Sequence, residues 1–461
     1  MTGGRTAAQA LGQWAASFRL EDAPEPAITH ARKALLNSVA TAVGGAELPH
    51  TRFALAAARA LGAQPTEVRP GAAHAIYDGR ALSAGQAAFV NGVMVNALGQ
   101  EETHLPSGTH AAETTAPTVL AQGEALGASG RQVLEAFIVG MQVSGAVGGM
   151  SLVWRDRELL AQPPAVYGTM GAAASAAKLL ELSAGQMADA IGLAALLTAG
   201  PAESMAAGTG DYMLLKGAAG LHGVLAAELA RAGAPVAPLA LEGPAGFYRV
   251  WANIPAAELA AFDVAGDLER QVGQEWVAPE LQFKRYPVNY FNQPFIDQAR
   301  RIAGEEGFDR NAITAIRIKV GPYPARVGAL GGTPFGHRSN ALMSTRFGVA
   351  CMLARGRVTL ADTLAPDAPE IAELVELAEI EAGAGEEDAY LVIEAGGRTY
   401  GGELTEEQRD FRLSAAEVRD IGLGITTDRL GEARASRLIE LLDSIEDIPS
   451  IGQVVEATFR A

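Results

Sequence analysis

A chain of 461 residues and 47.7 kDa exceeds what one hydrophobic core organises, and 49% apolar against 19% charged residues describes a globular protein. Lys and Arg total 36 against 53 Asp and Glu, so a net charge of −17 leaves no broad basic surface for nucleic acid or an anionic membrane. The one cysteine, Cys351, excludes an intrachain disulfide, a thiolate zinc site and a cysteine-held iron–sulfur cluster.

The N-terminal stretch has no basic segment leading into an apolar run and a small-residue cleavage site, so a cytoplasmic protein is expected. As far as about Gly266 the chain is Ala-rich, with apolar residues at helical spacing broken by glycine and proline, which predicts an all-helical bundle. The small residues predict closely packed helices with little internal space. The uncharged run from Phe137 to Trp154 nears the length of a membrane span, but Gln142, Ser144 and its glycines fit a buried helix. Ser183 followed three residues later by Gln186 is a capping box, and a helix is expected to start there. Between Asp267 and Arg398, AITAIRIKVGPYPARV and AYLVIEAGGRTYGG alternate apolar and polar residues and read as strands. LSAAEVRDIGLG and GEARASRLIELLDSIEDI then return to helical periodicity. The expected fold is mainly α: a large all-helical domain built from both chain ends, residues 1–266 and 399–461, with a smaller α+β lid domain, 267–398, inserted. The acidic stretch from Glu376 to Glu387 reads as solvated helix and loop faces.

Several segments together resemble the MmgE/PrpD family, whose members include 2-methylcitrate dehydratase, cis-aconitate decarboxylase and iminodisuccinate epimerase. They are ALLNSVATAVGG, DGRALSAGQAAFVNGVMVNALGQEETH, VYGTMGAAASAAKLLELSAGQMADAIGLAA, GAAGLHGVLAAELARAGA with LEGPAGFYRVW, FKRYPVNYFNQPFIDQA, and SNALMSTRFGVACMLARGRVTLADT. The order is the family's, and the segments cover most of the chain. The resemblance implies the same architecture, a homodimer without metal or organic cofactor, and an active site in the cleft between helical domain and lid. It also implies small polycarboxylate substrates.

Such chemistry needs a base at a carbon acid, a donor for the developing charge, and cations that grip carboxylates. In GQEETHLPSGTH, Gly99 stands where the family has an acid, Glu101 and Glu102 replace its aspartates, and Thr103 matches; His110 matches the histidine that precedes the family's Pro-Ser. Elsewhere a family histidine is Gln162, a lysine aligns with Tyr212 while Lys216 lies one helical turn on, a histidine aligns with Asn289, and a tyrosine aligns with Phe347. Lys284 and Arg285 are kept, and Arg346 adds a guanidinium.

On this basis the catalytic candidates are His110, Tyr212, Lys216 and Glu102, and the substrate-binding candidates are Thr103, His104, Gln162, Lys284, Arg285, Asn289 and Arg346. Each has a plainer reading: His110 as an exposed loop histidine, Glu101 and Glu102 as helix caps, Lys284 and Arg285 as a surface pair. No metal site is expected, since His104, His110 and Glu113 match no standard ligand spacing. No G-x-S-x-G or P-loop motif is present, and Cys351 reads as an inert core thiol. The expectation is a divergent, cofactor-independent lyase or isomerase that moves protons on a small organic acid or specialised metabolite. The alternative is a non-catalytic relative that binds a metabolite or a partner protein.

Overall fold

The computed structural model describes residues 4–62, 71–152 and 160–460, and the chain divides into two compact units. The first unit comprises Met1–Ala202, Asp211–Gln282 and Arg412–Ala461, and the second comprises Glu203–Gly210 and Phe283–Phe411.

The first unit is helical. Its helices are α1 (Ala7–Ser17), α2 (Glu25–Gly45), α3 (Pro49–Ala60), α4 (Ala84–Leu98), α5 (Ala111–Leu126), α6 (Gly130–Leu152), α7 (Pro163–Leu179), α8 (Ala184–Leu197), α9 (Tyr212–Arg231) and α10 (Val264–Gln274). Ser183 caps α8 as its sequence predicts: the hydroxyl accepts from the Gln186 N–H, and the Gln186 side chain accepts from the Ser183 N–H. At the centre, α4, α5, α7 and α9 pack on one another, with α6 against α5 and α7.

Small residues set the spacing. A Cβ at Gly217 of α9 would lie 2.3 Å from the Phe89 carbonyl of α4, and one at Gly223 would lie 2.4 Å from the Ala172 Cβ of α7. Two described helices, within Gly130–Ser151 and Tyr212–Arg231, are long and apolar enough to cross a membrane by length and composition, and 89% and 56% of them is enclosed by the protein. The first contains most of the run from Phe137; Trp154, at its end, lies outside the described residues. Four two-residue strands lie in this unit: β1 (Ala73–His74) pairs antiparallel with β2 (Ala81–Leu82), and β3 (Thr103–His104) pairs antiparallel with β4 (Leu281–Gln282).

The second unit carries α11 (Gln293–Ala303), β5 (Ile313–Val320), α12 (Thr345–Arg355), α13 (Pro369–Leu377), β6 (Ala378–Ala382), β7 (Ala389–Ala395) and β8 (Arg398–Glu403). The sheet order is β6-β5-β7-β8; β5 and β6 are parallel and the other pairs antiparallel, with Ile318 opposite both Ile380 and Leu391. Ile316, Ile318 and Val320 are buried while Arg317 is exposed, the alternation that made this segment legible as a strand. Helices α11 and α12 pack together, and the Ser339 hydroxyl donates to the Gly208 carbonyl at 2.6 Å, tying the Glu203–Gly210 segment to this unit. Cys351 is buried in α12, where burial pushes its thiol up to about 12.

The chain then returns to the first unit with α14 (Ala415–Leu430) and α15 (Glu432–Asp443). Helix α14 packs on α2, and the Lys33 ammonium on α2 donates to the Leu413 carbonyl at 2.7 Å.

Candidate active site

The predicted residues of the helical unit converge on the start of α5. Helix α4 ends at Gly99, whose φ of 82° makes the left-handed turn that few other residues adopt. The chain runs through Glu101 to His104, makes a short 3-10 turn over Leu105–Ser107, and returns to enter α5 from His110. Reciprocal backbone bonds close this loop: the His104 N–H donates to the Thr109 carbonyl at 2.8 Å, and the Thr109 N–H to the His104 carbonyl at 3.3 Å.

Closure folds an extended segment against His110, so its side chains alternate. Glu101 and Thr103 face the imidazole: Glu101 Oε1 lies 3.9 Å from Nε2, and Thr103 Oγ1 lies 3.3 Å from Nδ1. Glu102 and His104 turn elsewhere. The Glu102 carboxylate accepts from the Ala112 N–H at 2.7 Å and so caps the first turn of α5, while its backbone carbonyl accepts from His110 Nδ1. Because a carbonyl only accepts, Nδ1 carries the proton and Nε2 is the basic nitrogen of the neutral ring.

His104 takes its own direction. It is 6% exposed, its Nδ1 lies 2.7 Å from Ser107 Oγ, and burial pushes its imidazole down to about 4, which leaves it neutral near pH 7. The structure therefore separates the two histidines of this loop.

A second cluster lies one helical turn into α5. Glu113 accepts from Asn96 Nδ2, and its other oxygen lies 3.7 Å from the Lys216 ammonium. The Lys216 ammonium donates to Gln162 Oε1, and that oxygen also accepts from the Ala165 N–H at 3.3 Å, capping α7. The Lys216 and Glu113 side chains are 1% and 0% exposed, against 20% for His110. Tyr212 is half-buried at the first position of α9, on the face of Lys216 one turn away. Sequence reasoning chose Glu102 as the catalytic carboxylate, whereas the carboxylates that face His110 and Lys216 are Glu101 and Glu113. Glu113 was discoverable as a lone charge among Ala and Thr, as Lys216 is in MLLKGAAG, because two isolated charges in apolar helices must find each other or water.

The candidates of the second unit fall into two places. The Arg285 backbone N–H donates to Gln293 Oε1 at 2.9 Å, and the Arg285 side chain borders a cavity of about 460 Å³ with Asp297, Arg301 and Gln408. Lys284 beside it is buried. Asn289 accepts from the Phe291 N–H at 2.9 Å and places its amide nitrogen 3.3 Å from Met343 Sδ. Arg346 is half-buried in the first turn of α12, and a Cβ on Gly332 would lie 3.2 Å from its guanidinium. Phe347 is fully buried against Phe335 and offers no polar group. Among the described residues no group of three or more His, Cys, Asp or Glu is arranged to hold a metal ion.

A helical unit interrupted by an α+β unit, with a histidine and two acids on the loop into a central helix, defines the class of this chain, and comparison with known families agrees. The MmgE/PrpD N-terminal domain matches residues 9–260 and the MmgE/PrpD C-terminal domain matches residues 286–418, so the chain belongs to the MmgE/PrpD family. It is 30% identical over 222 residues to cis-aconitate decarboxylase of Homo sapiens, a stretch covering 47% of this chain and 44% of that protein. Identity to the Mus musculus cis-aconitate decarboxylase is 34% over 181 residues (38% of this chain, 36% of that protein), and to that of Aspergillus terreus 29% over 193 residues (39% and 37%). The chain thus spans less than half the length of these relatives.

Proposed function

We propose that this chain is a lyase or isomerase that moves a proton on a small carboxylate-bearing metabolite, with His110 as the base. The observation that carries this reading is the fixed tautomer: Nδ1–H is held by the Glu102 carbonyl, and Nε2 is turned toward Glu101 on the one partly exposed ring of the cluster. In the proposed step Nε2 takes the proton from a carbon next to a carboxylate or carbonyl. The imidazolium that forms is stabilised by Glu101, and Glu102 offsets the positive end of α5.

A positioned base of this kind contributes about 10² to 10⁴-fold to rate. Tyr212 is the proposed donor to the developing negative charge, with the Lys216 ammonium one turn behind it as a fixed positive field. The step uses side chains alone. Gln162, bonded to Lys216, is neutral, which favours a substrate less anionic than a tricarboxylate.

The test is NMR in deuterated water with cis-aconitate, 2-methylcitrate, iminodisuccinate and their mono- and dicarboxylate analogues. It scores elimination, loss of carbon dioxide and deuterium uptake at carbon. Turnover of any compound that falls about 10²-fold or more in a folded His110→Ala variant supports the proposal. Undiminished turnover in that variant refutes His110 as the base, and silence across the panel favours a relative that binds without catalysing.

A further inference from the structure

The helical unit contains a cavity that the proton-transfer site does not use. Its volume is about 430 Å³, and it is bounded by α6, by α10 with the segment that follows it, and by the His104–Pro106 turn. That volume lies in the range of small-molecule pockets, about 300–1,000 Å³.

The walls are set before any ligand arrives. Gln142 of α6 accepts from the Val277 N–H at 2.7 Å and donates to the Glu275 carbonyl at 2.7 Å, and Gln271 donates to Asp267 at 2.6 Å. The two Gln142 bonds lock the segment after α10 onto α6, so a ligand need not order it.

Two independent features describe what the cavity accepts. The first is His104: more than nine-tenths buried, with Nδ1 engaged by Ser107, it lines the cavity, and its Nε2 meets no protein partner among the described residues. That nitrogen is not sealed off by protein atoms, so a group entering the cavity can reach it and bond to it.

The second is charge. Asp267, Glu275 and Glu280 line the space against one guanidinium, Arg270, which is bound to Asp267 and Glu275 together. Glu280 meets Arg412 only at 3.6 Å, beyond hydrogen-bond length, so acceptor oxygens remain at the rim. The half-buried ring of Trp276 lies in the same wall and offers an aromatic face to a cation. His104, neutral, adds no repulsion.

We infer that this cavity is a binding site for a small organic ammonium compound, held by the carboxylate rim, Trp276 and His104. The site is also wired to the catalytic loop. His104 and Thr109 are joined by the bonds that close that loop, and Thr109 directly precedes His110. An occupant that fixes His104 therefore acts on the segment that positions the His110 ring, which makes the cavity an effector site distinct from the proton-transfer site.

The probe is n-butylamine, titrated into the full chain in about 0.15 M NaCl to screen diffuse attraction to an acidic protein. Binding is read from Trp fluorescence and from the ring C–H signals of the seven histidines, with His104 assigned by its loss in His104→Gln. The expected result is a saturable shift of His104 and a smaller one of His110, with His30 and His337 unmoved. The double variant E275Q/E280Q, altered at two exposed side chains, is expected to weaken binding about tenfold while its melting temperature holds. Equal binding of butanoate, affinity unchanged in E275Q/E280Q, or unsaturable shifts at all histidines would each overturn the assignment. None of these outcomes depends on turnover, so this site can fail while the proton-transfer proposal stands.

Discussion

Replacing Glu113 by Gln tests whether the pair it forms with Lys216 is a buried ion pair on which the helical unit depends. The charged atoms are 3.7 Å apart, and neither side chain is more than 1% exposed. At an effective dielectric of about 20, unit charges at that separation attract by about 4 kcal/mol, while burial costs several kcal/mol per ion, so the intact pair is worth little net. Removing one partner is different, because the desolvation cost of the other stays and the attraction goes. Glu113→Gln is expected to lose about 3–5 kcal/mol of stability, and Lys216→Met a similar amount. The double variant is expected to lose less than the sum by about 2–3 kcal/mol. Urea unfolding of the four chains gives the cycle. Fluorescence reports the helical unit, since Trp14, Trp251 and Trp276 lie there and the segments 203–210 and 283–411 contain no tryptophan. The chain has five lysines, so ¹⁵N-lysine labelling also shows directly whether the Lys216 nitrogen is an ammonium. Losses that add to within about 0.5 kcal/mol would refute the reasoning, because uncoupled side chains are not an ion pair.

Gly217→Ala forces a Cβ to 2.3 Å from the Phe89 carbonyl and is expected to cost about 1–3 kcal/mol or more in the same titration, whereas Gly185→Ala, with nothing within 4 Å, is expected to cost nothing. Burial holds His104 neutral, at about 4, in the folded protein. Its contribution is therefore complete above the unfolded value of about 6.5 and is lost as pH falls from there toward 4, about 3 kcal/mol in all; His104→Gln should flatten that limb of the stability–pH curve. His74 has the opposite sign: the Glu124 carboxylate bonded to it at 2.6 Å raises its pKa. The stabilisation is present below the ordinary histidine value and is lost as pH rises through the folded-state value, and Glu124→Gln should remove that dependence.

The helices and strands were legible because their signals are local. The Ser183–Gln186 capping box involves four residues, and the alternation of β5 is written in AITAIRIKV itself. The order of the sheet is not local. That β6 runs parallel to β5 while β7 pairs on the other side follows from how α12 and α13 pack, which no short pattern encodes. Family segments added what spacing could not, including the importance of the loop before α5. They could not say which of two adjacent glutamates faces His110, because that depends on a loop closed between His104 and Thr109.

Once the closure is known, one rule assigns the whole segment. Residues 101 to 104 run extended, so their side chains alternate: Glu101 and Thr103 reach the His110 ring, and Glu102 and His104 face away, one to the first turn of α5 and the other to Ser107. The same economy explains Glu113 and Lys216. Helix α4 carries no charged residue, and Lys216 is the one charge in the first half of α9. In packing this tight an unpaired ammonium at that position has no water to reach, so its presence requires a carboxylate on a neighbouring helix. Glu113 is that carboxylate, and Asn96 and Gln162 supply hydrogen bonds to the pair. A search of apolar helices for solitary charges of opposite sign would have found it without alignment. It would have left open only which turn of α5 faces α9, and the close approach of α4 to α9 at Gly217 helps to fix that.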